Sequence, residues 1–259
     1  MNFCSPMGLG MEKITHIKTY KTAHLSADAI AQLGKDGFAL LDAQDVTRWM
    51  SLSLDDIESL KPYWNDLPHD ASPMDGGRYR YRRYARLEAS EIDGVQPLSH
   101  TPFVRSGFNA FEPLELALDI QPVAEDCVAN PALHKIVDSL RCLFDLSVGG
   151  RHRWLVQLHP YRIQLDSDTF GFPTPEGLHM DCVDFVATML LHRENVQGGT
   201  TLITDTMRKP LVEATLTDPM DLIVRDDNRT LFVVSAVKRM CPNSPAFRDA
   251  LTLSFTRSE

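Results

Sequence analysis

The second half of the chain limits the fold most strongly. From Arg151 onward, short runs rich in β-branched residues alternate with turn residues, which is the pattern of strands joined by tight connections. The runs read RWLVQLHPYRIQLD, DFVATMLLHRE, TTLITD, MDLIVRDD, TLFVVSAVKRM and DALTLSFTR. Many short strands in succession are typical of a β-sandwich or a β-barrel, so we predict a β core from this region.

The first half of the chain predicts helices. Ser26 is a candidate cap, and the apolar residues that follow it predict a short helix that ends at Gly34. A short buried strand is expected next, in GFALLD. Ser53 and Asp56 have the spacing of a capping box and predict another helix, for which Pro62 is the expected stop.

A longer helix is expected where apolar residues between Leu133 and Phe144 keep a 3.6-residue period, with Gly149 and Gly150 as its end. No internal repeat, low-complexity tract or obvious linker interrupts the chain. We therefore predict one α+β domain over residues 1–259. Its expected parts are a poorly ordered start over 1–15, a helical part over 16–70, and a β core with inserted helices over 71–259.

The charge and the cysteines narrow the choice of partners and compartment. The net charge is −9 and the pI is near 5.5, which disfavours nucleic acid and anionic membranes because both repel an acidic surface. Five scattered cysteines without a CxxC motif indicate reduced thiols and no structural zinc site. No signal peptide and no run of roughly 20 apolar residues is present. We therefore expect a cytoplasmic protein.

The segment GGRYRYRRYARL allows two interpretations. On a strand, Arg78, Arg80 and Arg82 share one face, while Tyr79 and Tyr81 share the other. The segment is either a basic, aromatic stripe for RNA or an acidic ligand, or a half-exposed strand whose arginines pair with carboxylates. The acidic composition favours the second interpretation.

A pair of potential metal ligands follows the long helix. His179 and Asp181 lie two residues apart, so on an extended segment both side chains point the same way while Met180 points away. A histidine and a carboxylate on one face suit a non-haem Fe(II) site, which uses two histidines and one carboxylate. An HxD pair alone is a weak signal, because it recurs by chance in many proteins.

The residues around this pair carry a resemblance to a known family. TPEGLHMDCVDFVATMLLHRENVQGG resembles the signature of the iron- and 2-oxoglutarate-dependent dioxygenases, in the branch that includes bacterial free L-isoleucine hydroxylases. SPAFRDALTLSFTR resembles the family's closing strand, and GGRYRYRRYARL resembles the branch's N-terminal segment, so the resemblance covers roughly residues 70–257. The matching signature residues are Pro175, Glu176, Gly177, His179, Asp181, Arg193, Asn195, Val196, Gly198 and Gly199.

The resemblance implies a fold, cofactors and a reaction. It implies a double-stranded β-helix (jelly-roll, cupin-like) core with N-terminal helices packed on it. It implies that Fe(II) is bound by His179 and Asp181, the catalytic pair, and that Arg248 binds the distal carboxylate of 2-oxoglutarate. A planar guanidinium suits that role because it donates two parallel hydrogen bonds to a carboxylate. The implied activity is hydroxylation of a free amino acid or a similar small molecule, and a homodimer stays open.

The sequence departs from the family at the second histidine. The family has a pattern like His-x-Val-Thr-Pro-Val, and the matching stretch RTLFVVSAVKRMCP places Phe232 where that histidine belongs. Three explanations stay open: a substitute ligand, iron held by two residues with 2-oxoglutarate and water, or a non-catalytic small-molecule-binding or sensor protein that keeps the pocket. The candidate substitutes are Cys241, Asp226, Asp227, His159 and His152.

Other residues near the HxD pair suggest supporting roles. Arg162 and Gln164 share one face of a predicted strand, where they either line the pocket and bind an amino-acid carboxylate or face solvent. Glu176 and Asp184 flank the pair, and either can orient His179. Cys182 is expected to be a buried, inert thiol, and the Gly-Gly pair at 198–199 is expected to form a tight turn.

Overall fold

The computed structural model describes residues 25–70, 77–109, 113–166 and 170–258. The predicted poorly ordered start over 1–15 lies outside these residues. Five α-helices and one 3₁₀ helix occur in the described part of the chain. The helices are α1 Leu25–Asp36, α2 Ala43–Trp49, α3 Leu54–Leu60, the 3₁₀ helix Lys61–Trp64, α4 Glu125–Val128 and α5 Pro131–Val148.

Local sequence signals set the helix ends, with one correction. The capping box is confirmed, because the Ser53 side chain accepts from the Asp56 backbone N–H and the Asp56 carboxylate accepts from the Ser53 backbone N–H. The prediction that α1 ends at Gly34 was wrong. The helix continues to Asp36, because Gly37 supplies the left-handed residue, at φ +79°, that closes the helix.

Strands are more abundant than helices in the described chain, and every pairing between named strands there is antiparallel. The strands are β1 Phe38–Leu41, β2 Arg80–Arg82, β3 Ala85–Ser90, β4 Gly94–Pro97, β5 Phe103–Asn109, β6 Pro113–Leu118, β7 Trp154–Gln164, β8 Phe170–Gly171, β9 His179–Met180, β10 Phe185–Glu194, β11 Val196–Gly198, β12 Thr200–Asp205, β13 Pro210–Thr215, β14 Leu222–Asp226, β15 Thr230–Val234, β16 Val237–Arg239 and β17 Phe247–Arg257.

The strands form three sheets. The largest has the order β1-β14-β10-β17-β7-β3-β4, with β2 also paired to β7. A second sheet has the order β13-β12-β15-β9-β5-β6, and a small third sheet has the order β11-β16-β8. Helices combined with antiparallel sheets confirm the predicted fold class at the level of a mixed protein built mostly from strands.

The large sheet has one face against the helices and one face toward a cavity. Trp154, Val156 and Leu158 of β7 are buried in the main hydrophobic core together with residues of α1, α3 and α5. Their neighbours Leu155, Gln157 and His159 line the cavity, because successive side chains of a strand point to opposite faces. No helix in the described part of the chain is long and apolar enough to cross a membrane.

The close approach of strand β11 to β16 at Gly198 gives a direct test of the fold. Gly198 has φ +87°, and a Cβ placed there would lie 2.1 Å from the Ala236 carbonyl oxygen. Gly198→Ala is expected to lower the free energy of unfolding by about 2–4 kcal/mol, because it adds a backbone clash to an unfavourable conformation. Urea denaturation followed by circular dichroism measures this loss.

Gly94→Ala is the matched control. Gly94 also has a positive φ, +67°, but a Cβ there meets nothing within 4 Å, so only the conformational cost of about 1–2 kcal/mol applies. Equal losses in the two variants would contradict the proposed clash.

Candidate functional site

A cavity of about 270 Å³ lies between the inner face of the large sheet and the second sheet. The large sheet contributes β7 and β17, and the second sheet contributes β5, β9 and β15. Among the residues that line the cavity are Arg80, Arg82, His159, His179, Asp181 and Arg248. The signature residues His179, Asp181 and Arg248 are therefore brought to one cavity, although β17 lies far along the chain from the HxD pair.

Arg248 is a buried cation in the cavity wall. Its side chain is 4% exposed, and its Nε has no hydrogen-bond partner within the described part of the protein. Burial, reinforced by the positive charge of Arg193, lowers the pKa of Arg248 to about 10, so the guanidinium is still protonated at neutral pH. A buried charge without a partner is costly, so this position suits the carboxylate of a ligand.

The expected tight turn at Gly198–Gly199 is not formed: both residues have positive φ, but β11 and β12 continue in one direction along β16 and β15. The junction makes room for Arg248. A Cβ on Gly199 would lie 3.2 Å from both Cδ and Nε of Arg248. Arg193 lies opposite Arg248 in the β10–β17 pairing and donates to the main-chain carbonyls of Leu216, Val196 and Gly198. Main-chain carbonyl groups thus hold the Arg193 side chain in place. Apart from the shared family pattern, no sequence signal indicated that Arg193 lies beside Arg248.

The HxD side chains converge, and a second carboxylate joins them. Nδ1 of His179 donates to the Gly177 carbonyl at 2.8 Å, which directs Nε2 to the other side of the ring. Nε2 lies 3.6 Å from Oδ1 of Asp181 and 3.6 Å from Oε1 of Glu176. Burial opposes protonation of His179, but the hydrogen bond and charge of Asp181, together with Glu176 and Gly177, raise its pKa.

Arg225 is a site residue that the sequence analysis missed. Its Nη2 donates to Oδ2 of Asp181 at 2.8 Å, its Nη1 donates to Oδ1 of Asp227, and its Cζ lies 4.0 Å from the centre of the Phe232 ring. Phe232 pairs directly with His179 across β15 and β9, with their ring centres 4.5 Å apart. A single arginine inside the apolar run MDLIVRDD was the available signal, but only the strand pairing shows its target.

Four of the five candidate substitute ligands are engaged elsewhere or face outward, whereas His159 lines the cavity. Asp227 accepts from the backbone N–H groups of Asp181 and Val183, and Asp226 accepts from that of Asn228. His152 lies 3.5 Å from Asp145, His159 is stacked among aromatic rings, and Cys241 is exposed. Over residues 25–70, 77–109, 113–166 and 170–258, no three His, Cys, Asp or Glu side chains form a set that could hold a metal ion.

The structure corrects the placement of Arg162 and Gln164. Neither side chain lines the cavity; Arg162 donates to both carboxylate oxygens of Asp249 at 2.7 Å, and Gln164 donates to Asp166. The reason is strand parity, because the odd-numbered residues of β7 face the cavity and these two lie on the other face.

Two smaller predictions near the HxD pair are also corrected. Asp184 accepts hydrogen bonds from the Arg257 backbone and side chain rather than orienting His179. Cys182 is exposed rather than buried.

The Arg/Tyr segment forms part of the cavity wall. Nε of Arg80 and Nε of Arg82 both lie 2.7 Å from Oδ2 of Asp70, and all three side chains are buried. The prediction that arginines of this segment pair with a carboxylate is therefore confirmed for Arg80 and Arg82. These two are buried rather than half-exposed, whereas Arg78 is exposed. Next to this cluster, His159 stacks on Tyr84 at 4.9 Å between ring centres.

Comparison with known proteins assigns the chain to a family. The model of the 2OG-Fe dioxygenase family matches residues 61–254, and the chain belongs to that family. Its members are oxygenases, a class of oxidoreductases that use Fe(II) and 2-oxoglutarate. A search of curated proteins found no match.

Solved structures agree with this assignment. A BsmA homologue from Methylobium petroleophilum PM1 is 29% identical, with 89% of this chain and 92% of that chain covered and a TM-score of 0.80. IDO from Bacillus thuringiensis is 17% identical, with 95% and 100% covered and a TM-score of 0.70. The Fe(II)/α-ketoglutarate-dependent dioxygenase TqaL is 16% identical, with 90% of each chain covered and a TM-score of 0.66. The last two likenesses concern the fold alone.

The residues present fit one of the family's two cofactors. The unpartnered guanidinium of Arg248 fits a carboxylate of 2-oxoglutarate. The donor set does not fit the iron, because Fe(II) sites of this type need a third protein ligand and the residue paired with His179 is Phe232, which has no lone pair. In addition, Arg225 already binds one oxygen of Asp181.

The buried imidazole of His159 predicts a pH dependence of stability. Burial, assisted by the charge of Arg82, lowers the pKa of His159 to about 3, against about 6.5 for an unfolded histidine. The stability that depends on neutral His159 is therefore fully present above about pH 6.5 and is lost as the pH falls toward 3, at up to about 1.4 kcal/mol per pH unit. His159→Phe should flatten this part of the profile in urea denaturation between pH 7 and pH 4.5.

His100→Phe is the control for that measurement. His100 is exposed and contacts the same Tyr84 ring from 6.0 Å, so its replacement should leave the slope unchanged. An equally steep decline in the His159 variant would show that other groups cause it.

Proposed function

We propose that the protein binds 2-oxoglutarate, or a closely similar short dicarboxylate, in this cavity through Arg248. The observation that carries the proposal is the buried, protonated guanidinium that has no carboxylate partner among the described residues. A ligand carboxylate would accept two hydrogen bonds from its planar edge. Membership of a family that uses 2-oxoglutarate supports the same ligand.

The rest of the cavity suits a small polar molecule. Its wall carries hydroxyl and amide groups, among them Thr188 with Thr252 and Ser254 with Gln157. A volume near 270 Å³ favours a free amino acid or a similar small compound over a folded protein as the second ligand. Two antiparallel sheets that face one cavity are consistent with the double-stranded β-helix expected from the resemblance.

The function that the geometry supports best is ligand binding without oxidative chemistry, as in a sensor of small metabolites. Phe232 and Arg225 support it, because together they remove one metal ligand and occupy part of another. Arg248 binds the dicarboxylate, and the Gly198–Gly199 junction gives it room. Arg80 and Arg82 add positive charge on β2, which pairs with β7 in the same sheet. His179 and Asp181 orient each other beside the ligand.

Hydroxylation of a free amino acid is the second candidate. It is favoured by the convergence of His179 and Asp181, whose facing atoms are 3.6 Å apart, and by the motif shared with the L-isoleucine hydroxylase branch. Incubation with Fe(II), ascorbate, oxygen, 2-oxoglutarate and each amino acid in turn separates the two. Succinate release above that of His179→Ala would favour the hydroxylase; release equal to the variant favours the binding protein.

Arg248 variants test the proposed ligand site. Arg248→Lys is expected to weaken 2-oxoglutarate binding at least about tenfold, because lysine keeps the charge but loses the planar pair of donors. Arg248→Met should weaken it further. Titration calorimetry, run once with EDTA and once with Mn(II), measures the dissociation constants.

Arg153→Lys is the matched control for Arg248→Lys. Arg153 is exposed and pairs with Glu88 and Asp93 away from the cavity, so its replacement should leave binding unchanged. Undiminished binding by Arg248→Lys and Arg248→Met, or no binding of 2-oxoglutarate by the wild type in either buffer, would overturn the proposal.

A further inference from the structure

Arg225 takes the position of a counter-ion to the HxD carboxylate. Its guanidinium contacts Asp181, Asp227 and the face of Phe232, and its side chain is 3% exposed. We propose that Arg225 supplies the positive charge that neutralises Asp181 in place of a divalent metal ion, so that the cavity holds its carboxylate ligand without metal. The part about the ligand rests on the proposed function; the part about the metal does not.

The Phe232 ring and the guanidinium act as a pair. A guanidinium 4.0 Å above a ring centre is attracted by the negative face of the ring. The ring also contacts the His179 imidazole from 4.5 Å. Phe232 therefore has two effects. It lacks an atom that could bind a metal ion, and its ring packs against the Arg225 guanidinium that contacts Asp181.

Arg225 is fixed in place by a fully buried carboxylate. Asp227 is 0% exposed, and its two oxygens also accept from the backbone N–H groups of Asp181 and Val183. Moving the guanidinium away would leave a buried charge without its partner, which is strongly destabilising. A metal ion at Asp181 would therefore have to coexist with Arg225 rather than displace it.

A divalent cation is disfavoured by this arrangement for two reasons. One oxygen of Asp181 is already bound by a guanidinium at 2.8 Å, which lowers the negative charge available to a metal. A buried guanidinium beside the carboxylate also repels a second cation at short range in a medium of low dielectric constant. The single positive charge of Arg225 is shared by Asp181 and Asp227, so the negative charge of Asp181 is partly compensated from within the chain.

The opposite reading is that Arg225 orients Asp181 toward a metal ion. Both interpretations are based on the hydrogen bond from Arg225 to Asp181, but they predict different metal affinities. If Arg225 supports a metal site, the wild type binds Mn(II), a spectroscopically visible stand-in for Fe(II), and loses it in His179→Ala. If Arg225 replaces the metal, the wild type does not bind Mn(II) at this pair.

The decisive experiment measures Mn(II) and 2-oxoglutarate separately on the intact protein. Electron paramagnetic resonance of free Mn(II) reports metal binding, and calorimetry reports 2-oxoglutarate binding with EDTA or with Mn(II). We expect no Mn(II) binding that depends on His179, and 2-oxoglutarate dissociation constants that agree within about twofold in the two buffers. If the wild type binds no Mn(II), no variant has to fold; if it binds Mn(II), His179→Ala shows whether that binding depends on His179.

A variant designed to restore the metal site tests the inference in the opposite direction. Phe232→His combined with Arg225→Val restores a second imidazole and removes the guanidinium, so Mn(II) affinity should rise at least about tenfold over the wild type. Adding Asp227→Asn to this pair removes the buried charge that Arg225 had balanced, in case the double variant unfolds. Phe170→His is the control for a new histidine outside the site, because Phe170 is 52% exposed, and it should give no comparable rise.

The outcomes separate the two proposals. Binding of 2-oxoglutarate only in the presence of Mn(II), or His179-dependent Mn(II) binding by the wild type, would overturn the inference and leave Arg248 as the ligand residue. Absence of 2-oxoglutarate binding in both buffers would overturn the proposed function, while the Mn(II) measurements would still decide the role of Arg225. Metal-independent binding with the gain in the double or triple variant supports both.

Discussion

The antiparallel pairing of β17 with β7 and β10 is the constraint on which the rest of the structure depends. Arg248 lies opposite Ile163 on one side and Arg193 on the other. In this register, the alternate residues Leu251, Leu253 and Phe255 pack into the core under the helices. Arg248, Ala250, Thr252, Ser254 and Thr256 line the cavity. A shift of one residue would exchange the two faces and bury polar groups in the core.

The arginines of the cavity differ in how their charge is balanced, and that difference suggests their roles. Arg80 and Arg82 share the Asp70 carboxylate, and Arg225 lies between Asp181 and Asp227. Arg248 forms no ion pair in the described part of the chain, and its neighbour Arg193 adds to the positive charge there. Because the protein does not balance this charge itself, the carboxylate of a ligand is the natural counter-ion.

The family relationship and the altered centre are compatible, because the fold and the metal site depend on different residues. The fold rests on strand pairing and on core residues spread over the whole chain, and it matches relatives at low identity. The metal-facing region depends on a few side chains, of which Phe232 and Arg225 are two. Substitutions at such positions change the chemistry of the site without changing the sheets. The chain can therefore belong to the family and still have a site with a different function.

The sequence by itself determined the elements that rest on local signals. The strand-rich second half and the capping box at Ser53 and Asp56 follow from neighbouring residues, so their prediction needed no tertiary information. The convergence of His179 and Asp181 also followed from their spacing on an extended segment. The position of the helix end at Gly37 did not, because Gly34 and Gly37 offer the same local freedom.

Only the tertiary structure decided which side chains meet across strands that are distant in the chain. The face of β7 that carries His159 rather than Arg162 toward the cavity depends on sheet register, which the alternation of residues alone does not fix. The contact of Arg225 with Asp181 arises because β14 and β15 bring residues 225 and 232 beside β9. Non-local strand pairing of this kind determines which charged side chains meet at the site. Local sequence patterns do not contain that information.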